Sequence, residues 1–349
     1  MGPFKLPLRL LLALVGASVA LGLLPAVPAQ ARGPIDVIGR QVATSVERER
    51  VVALPIFASH VALHWEGDEE AELSVAVSLD GRTFDRPRPV EHDDSGGHSP
   101  DGRTYGGVLW TNGTRFVRVT ADRPLPRLTV VAINSRGPAS GGTPAQRNVT
   151  RAAVEAPSIS SRAEWGADES LRFDGEGNES WPSEFAPLQK FIVHHTAGAN
   201  NDPHPASTVR AIYYYQAITR GWGDIGYNFL IDEAGRIYEG RYSGPSTSGV
   251  PPTGEDAGGL SVIGAHVANY NAGTLGVALL GTLSTKDATP AARAALVRLL
   301  AWKAERHGID PEGGGLYTNP VSGSAKVAPN ITGHRDWAAT LCPGERFYA

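Results

Sequence analysis

Phe191-Ile192-Val193-His194-His195-Thr196 is a short apolar run that ends in two histidines, with Gly198 and Asn200 just beyond it. It reads as a buried strand that delivers imidazole to a site at its carboxyl edge. A second stretch, Gly333-His334-Arg335-Asp336-Trp337 onward to Thr340-Leu341-Cys342-Pro343-Gly344, holds the only cysteine among the 349 residues. These two stretches are expected to meet around one metal ion.

The sequence around the strand alternates between the two regular periods. Ser207 to Arg220 has helical spacing, with Val209, Ile212, Tyr213 and Ala217 on one face and Gly221 placed to end it. Tyr227–Asp232 and Arg236–Gly240 form a predicted hairpin about Glu233-Ala234-Gly235, and Leu275–Leu280 has the unbroken apolar character of a central strand. Thr289 is a predicted N-cap with Pro290 at the first helical position and Gly308 at the far end. Leu296, Val297, Leu300 and Ala304 are the expected apolar stripe between them. Residues 158–349 are therefore expected to form an α/β domain with helices packed on a mixed central sheet.

Upstream the pattern changes. From about Arg50 to Asn134 it is β throughout, as in Ala62–Trp65, Ala71–Ser78, Phe116–Thr120 and Leu128–Ile133. Turn signals at Asp80-Gly81-Arg82 and Asn112-Gly113 separate these runs. With no helical segment between them, residues 32–134 are expected to be a smaller all-β, sandwich-like domain, 32–48 being an irregular lead-in. Residues 135–157 are rich in Gly, Pro and Ser and read as a linker. The loop Glu91–Asp101 collects acids and histidines, but its spacing is not that of a calcium loop, so it is assigned to solvent.

Residues 1–31 have the plan of a signal peptide: Lys5 and Arg9, then the apolar run Leu10–Leu24, then Ala29-Gln30-Ala31. The run is short for a membrane span and ends in a Pro-rich stretch. The expected location is secreted or cell-wall associated, with no membrane attachment once the signal is removed. A net charge of −4 and the lack of a basic run give no reason to expect a nucleic-acid partner, and the oligomeric state is not legible. Export gives the lone Cys342 weight, because exported chains generally use cysteines in pairs. It is a reactive thiol, an intermolecular link, a buried small residue or a metal ligand.

A zinc ion held for catalysis has three protein ligands and one open position. His194, His334 and Cys342 would supply two imidazoles and a thiolate. His334 and Cys342 are eight residues apart, so a loop must gather them, while the strand contributes from about 140 residues upstream. Because side chains alternate along a strand, only one of His194 and His195 reaches the ion, and alternation alone does not say which.

The chain from about 158 to 349 resembles the zinc-dependent N-acetylmuramoyl-L-alanine amidases that share a fold with peptidoglycan recognition proteins and phage-type lysozyme amidases. The resemblance rests on several motifs in order. They are Ser161-Arg162-Ala163-Glu164-Trp165-Gly166, Val193-His194-His195-Thr196, Gly226-Tyr227-Asn228-Phe229, Ile263-Gly264-Ala265-His266, Gly276–Gly281, Gly333-His334-Arg335-Asp336 and Cys342-Pro343-Gly344. It implies that His194, His334 and Cys342 hold Zn2+, that Tyr227 is a catalytic tyrosine, and that Thr340 is the polar residue two before the cysteine, where some relatives carry Lys. It also implies hydrolysis of the bond between N-acetylmuramic acid and L-alanine in peptidoglycan. The β-rich region ahead of such a domain looks like that of actinobacterial members. Trp222, His266 and Asn271 are candidate substrate contacts, Asp336 a candidate for orienting a ligand, and His195 a structural residue. The family continues into a further short helix, so the carboxyl end, seven residues past Cys342, is a candidate truncation. The alternative is a recognition module that binds peptidoglycan without cleaving it, in which the zinc set is usually incomplete.

Overall fold

β2 (Glu49–Glu66) is the spine of the first half of the molecule. It pairs with β6 (Leu109–Ala121) on one side and β7 (Leu125–Asn134) on the other, and β5 (Arg103–Tyr105) also pairs with it. With β1 (Ile38–Val46), β3 (Leu73–Ser78) and β4 (Arg88–Val90) they make one antiparallel sheet, ordered β1-β7-β2-β6-β3-β4. The computed structural model describes residues 34–94, 101–137, 154–245 and 250–349. The expected signal peptide, residues 95–100 of the acidic loop and residues 138–153 of the expected linker lie outside these.

One core holds Val52, Leu54, Val61, Leu63, Trp65, Val75, Val117, Val119 and Val130, and its members come from this sheet and its turns alone. A sheet that buries its own residues against one another must fold over itself, so a single hydrogen-bonded sheet does the work of the two expected sandwich layers. The β2–β6 register shifts between Ala53 and Ala58 and again between Ala58 and His60, the second shift lying opposite Asn112 (φ 57°) and Gly113 (φ 101°). Asn112-Gly113 was a turn signal. Here the left-handed residues sit inside β6 as a bulge, because the strand continues on both sides. The lead-in also proves partly regular: β1 pairs with β7 as the edge strand. Its polar Arg40, Gln41, Thr44 and Ser45 suit an edge and hide the strand signal.

In the second half β8 (Ile159–Ser160) and α1 (Arg162–Trp165) lead in, with Ser161 and Glu164 forming a capping box. β9 (Phe185–Ala186) pairs with β13 (Ser261–Val262). The main sheet takes β10 (Lys190–His195), β11 (Phe229–Ile231), β12 (Ile237–Glu239), β14 (Thr274–Leu279) and β17 (Ile331–Gly333), in the order β17-β10-β14-β11-β12-β8. β14 runs parallel to both β10 and β11, whereas β11 and β12 are antiparallel, so the sheet is mixed as expected. The hairpin β15 (Gly314–Thr318) and β16 (Ala325–Pro329) stands apart, and α4 (Glu345–Tyr348) follows the cysteine loop.

Each face of this sheet has a helix. α3 (Pro290–His307) has Thr289 accepting from the Ala292 amide and Gly308 in the left-handed conformation, as the caps predicted. It packs on Phe191, Val193, Leu275, Val277 and Leu279. Val297 does not belong to its stripe. It is 64% exposed, and Ala292, Ala295, Leu299 and Leu300 fill the buried face. α2 (Pro205–Tyr214), prolonged by a π-helical turn at Tyr215–Thr219, covers the opposite face. Its Val209, Ile212 and Tyr213 share a core with Leu230, Tyr238 and Ala278 below and Ala62, Val131 and Ile133 of the first sheet above. Polar bonds fix the same boundary: His60 Nε2 lies 2.8 Å from Thr208 Oγ1, and Tyr215 Oη donates to the Leu63 carbonyl.

Candidate active site

Strand alternation separates the two histidines. Ile192 and His194 face the side of β10 away from α3, whereas Val193 and His195 face α3. His195 Nδ1 accepts from the Leu283 amide, which anchors it in a loop beside α3. His194 turns to the other face, where one 3-10 turn (His334–Asp336) and the Cys342 loop arrive from the end of β17. One ring nitrogen each from His194 and His334 and the Sγ of Cys342 lie within 4.8 Å of one another, all three residues buried. Cys342 Sγ is 3.7 Å from His194 Nδ1. Ligand bonds of about 2.0–2.3 Å in a tetrahedron leave roughly this spacing between donors.

Two further observations fit a cation. His334 Nε2 is buried with no hydrogen-bond partner, an arrangement that costs free energy unless something else takes its lone pair. Burial also keeps each donor uncharged. It pushes His334 down to about 4, and it holds His194 well below the ordinary imidazole value with help from the His334, His266 and His195 rings. Neutral imidazole is the metal-binding form. Burial pushes the Cys342 thiol up, and Asp94 and Asp93 add to the effect. A thiol in that environment is no nucleophile at neutral pH, whereas a neighbouring dication deprotonates it outright.

Behind His194 stands His266. It is fully buried, and its Nδ1 lies 3.0 Å from His194 Nε2. Gly276 makes the slot for it: a Cβ there would fall 2.3 Å from the His266 ring. His266 thus reaches the centre through His194, and the cavity wall does not include it. Asn271, expected beside the substrate, spends its Oδ1 on the amides of His266 and Val267. Trp222 lies outside the cavity wall with the Arg220 guanidinium 4.1 Å over its ring. Asp336 accepts from the Gly333 amide and from Tyr348 Oη, so it shapes the turn that carries His334.

Tyr227 does line the cavity, its ring centroid 5.5 Å from that of His194. Thr340 stands at the rim, accepting from the Cys342 amide at 3.0 Å and donating to Asp94 Oδ2 at 2.6 Å. Asp94 belongs to the acidic loop that the sequence assigned to solvent. With His92 and Asp93 it forms the wall opposite His194, His195, Tyr227, His334 and Cys342. No spacing signal reveals this, because the contact joins residues 246 positions apart.

A sequence model of the N-acetylmuramoyl-L-alanine amidase family matches residues 184–345. Peptidoglycan-recognition protein SC2 of Drosophila simulans is 31% identical over 199 residues, covering 56% of this chain and 85% of that protein. Peptidoglycan recognition protein 1 of Bos taurus is 31% identical over 206 residues, covering 56% and 84%. Among solved structures, Drosophila PGRP-LB wild-type aligns at 28% identity over 54% of this chain and 89% of that one, with a TM-score of 0.39. The chain belongs to the family of N-acetylmuramoyl-L-alanine amidases and peptidoglycan recognition proteins.

Proposed function

We propose that the protein is an N-acetylmuramoyl-L-alanine amidase that hydrolyses the amide between N-acetylmuramic acid and L-alanine in peptidoglycan, outside the cell membrane. The observation that carries this reading is the convergence of His194, His334 and Cys342 on one point with Tyr227 in the adjoining wall. A recognition module has no use for three buried, uncharged donors and an unpartnered imidazole nitrogen. Zn2+ held by these residues would supply Lewis-acid activation of the scissile carbonyl and of water.

The rest of the work falls to the chain. His194, His334 and Cys342 line a cavity of about 10 Å³, room for about one water. Tyr227 is placed to hold that water or the oxygen that gains charge as the amide is attacked. Thr340 is a second donor once its hydroxyl is free of Asp94. His266 holds His194 in the tautomer that presents Nδ1, a positioning task that replaces the substrate contact expected of it.

The test is incubation of the full-length protein with purified peptidoglycan. Release of stem peptides with new L-alanine amino termini, loss of that release on chelation, and its return with zinc are the expected results. A Cys342→Ser variant should behave as the chelated protein does, and full activity in that variant sinks the metal assignment. Binding to peptidoglycan by a zinc-loaded wild type without new amino termini identifies a recognition module instead.

A further inference from the structure

The cavity beside His194 admits about one water at roughly 10 Å³, far below the ~300 Å³ or more of a pocket that encloses a small ligand. A glycan with a stem peptide does not fit. What closes it is the segment Glu91–Asp94, which follows β4 and belongs to the first sheet's half of the molecule. We propose that this segment is an autoinhibitory strap, which shuts the site in this conformation and must swing away before substrate reaches it. The proposal rests on the amidase reading only for what is inhibited.

Polar ties hold the strap to the second half, and Glu91 Oε2 also lies 3.8 Å from His195 Nε2. Asp94 Oδ2 accepts from Thr340 Oγ1 at 2.6 Å, Glu91 Oε2 accepts from Ser284 Oγ at 3.1 Å, and Asp93 Oδ2 faces Arg220 Nη1 at 3.1 Å. On its own side the strap is stitched to β5 and the residues after it: the Asp93 amide donates to the Tyr105 carbonyl, and the Gly107 amide to the Glu91 carbonyl. The stitched pair lies against the loop that leaves β10. A Cβ on Gly107 would come within 2.5 Å of the Ala197 carbonyl oxygen, and one on Gly198 within 2.8 Å of the Val108 carbonyl oxygen. Backbone meets backbone there, as in a fitted closure.

The strap also disarms a residue. The single hydroxyl proton of Thr340 goes to Asp94, so it is withheld from any oxygen developing charge in the cavity. Displacing Asp94 opens the mouth and returns that donor in one movement. The ties are polar, and Glu91–Asp94 contributes no residue to the large apolar core between the halves, which takes in Tyr105 and Val108 beside the stitched residues. The strap can therefore detach without separating the halves.

Cys342 is the only cysteine in the chain and lies in the cavity wall, so it reports on the closure directly. The experiment is the rate of alkylation of metal-free, full-length protein by iodoacetamide. Wild type is compared with Gly107→Ala, which wedges the closure, and with the double variant Glu91→Ala/Ser284→Ala, which cuts the ties at Glu91. Both leave the thiol's acidic neighbours Asp93 and Asp94 in place. At an unchanged melting temperature each is expected to react at least ten-fold faster than wild type. Should the wedge variant not fold, the double variant decides. In parallel, zinc-loaded variants are expected to hydrolyse a soluble muramyl tripeptide at least ten-fold faster than zinc-loaded wild type. Equal alkylation rates overturn the strap, and so does faster alkylation with no gain over an active wild type. If no zinc-loaded protein hydrolyses the peptide, the amidase reading falls, and the alkylation ratio still decides whether the strap closes the cavity.

Discussion

His266 Nδ1 sits 3.0 Å from His194 Nε2, both rings fully buried, and His194 Nδ1 in turn faces Cys342 Sγ. A metal bound at His194 Nδ1 would fix the protons along this chain. For Nδ1 to donate its lone pair to a metal, His194 must carry its proton on Nε2 and give it to His266. His266 then carries its own proton on Nε2, where Thr274 Oγ1 lies 3.4 Å away, and Thr274 donates onward to the Tyr270 carbonyl. Removing the support behind a metal-binding imidazole typically weakens metal binding by about 10–100-fold. His266→Ala should do this, while His266→Gln, which keeps an acceptor, should recover part of the loss. Competition with a chelator of known zinc affinity measures both. Unchanged zinc affinity in His266→Ala removes the positioning role.

Tyr227 makes a different prediction, because it lines the cavity but contributes no donor to the three-residue cluster. Tyr227→Phe keeps the ring against His194 and deletes only the hydroxyl. Loss of one donor aimed at a developing oxyanion costs about 10²–10³ in kcat. The expected outcome is a kcat loss of that order with KM and zinc content unchanged. Elemental analysis beside the kinetics separates it from a ligand substitution, in which zinc falls as well.

Much of the fold was legible because burial writes periodicity into sequence. All six residues of β10 and of β14 are buried, and both stood out as apolar runs. The caps of α3 were equally plain, since Thr289, Pro290 and Gly308 each answer a local backbone need. Features decided by distant partners were not legible. β1 is polar because it is an edge, and Asn112-Gly113 is a bulge only because β2 continues opposite it. At the site, the cluster of His194, His334 and Cys342 was expected, and their donors do converge. The burial of His266 depends on a slot at Gly276, and the wall at Asp94 depends on how two halves dock. Neither leaves a local pattern.

The α3 stripe gives a direct measure of one such miss. Val297 points to solvent while Leu299, two residues on, is completely buried among Phe191, Val277 and the rest of that core. Leu299→Ala should destabilise the protein by about 2–5 kcal/mol, the range for deleting a buried leucine side chain. Val297→Ala should stay within about 0.5 kcal/mol, as surface substitutions do. Urea unfolding of the two variants at fixed zinc concentration checks the contrast. Equal losses would place Val297 in the core after all.

The boundary between the halves has its own pH signature, carried by His60. Burial, with the nearby positive charges of Arg210 and Arg136, pushes this ring down to about 3, and its Nε2 is paired with Thr208 Oγ1 of α2. In the unfolded chain the same ring binds a proton near pH 6.5. Between these values the unfolded state holds the extra proton. The stability that a neutral, buried His60 contributes is therefore complete above about pH 6.5 and is lost progressively as pH falls towards 3. One such group adds up to about 1.4 kcal/mol per pH unit to the acid slope. A His60→Gln variant should be less stable than wild type at pH 8, where the native pairing is intact. It should also lose stability less steeply between pH 6 and pH 4.5. Urea titrations across that range, with zinc omitted from both proteins so that the ligand histidines contribute alike, measure the two slopes. Parallel slopes would mean that His60 is protonated in the folded protein and that the boundary accommodates its charge.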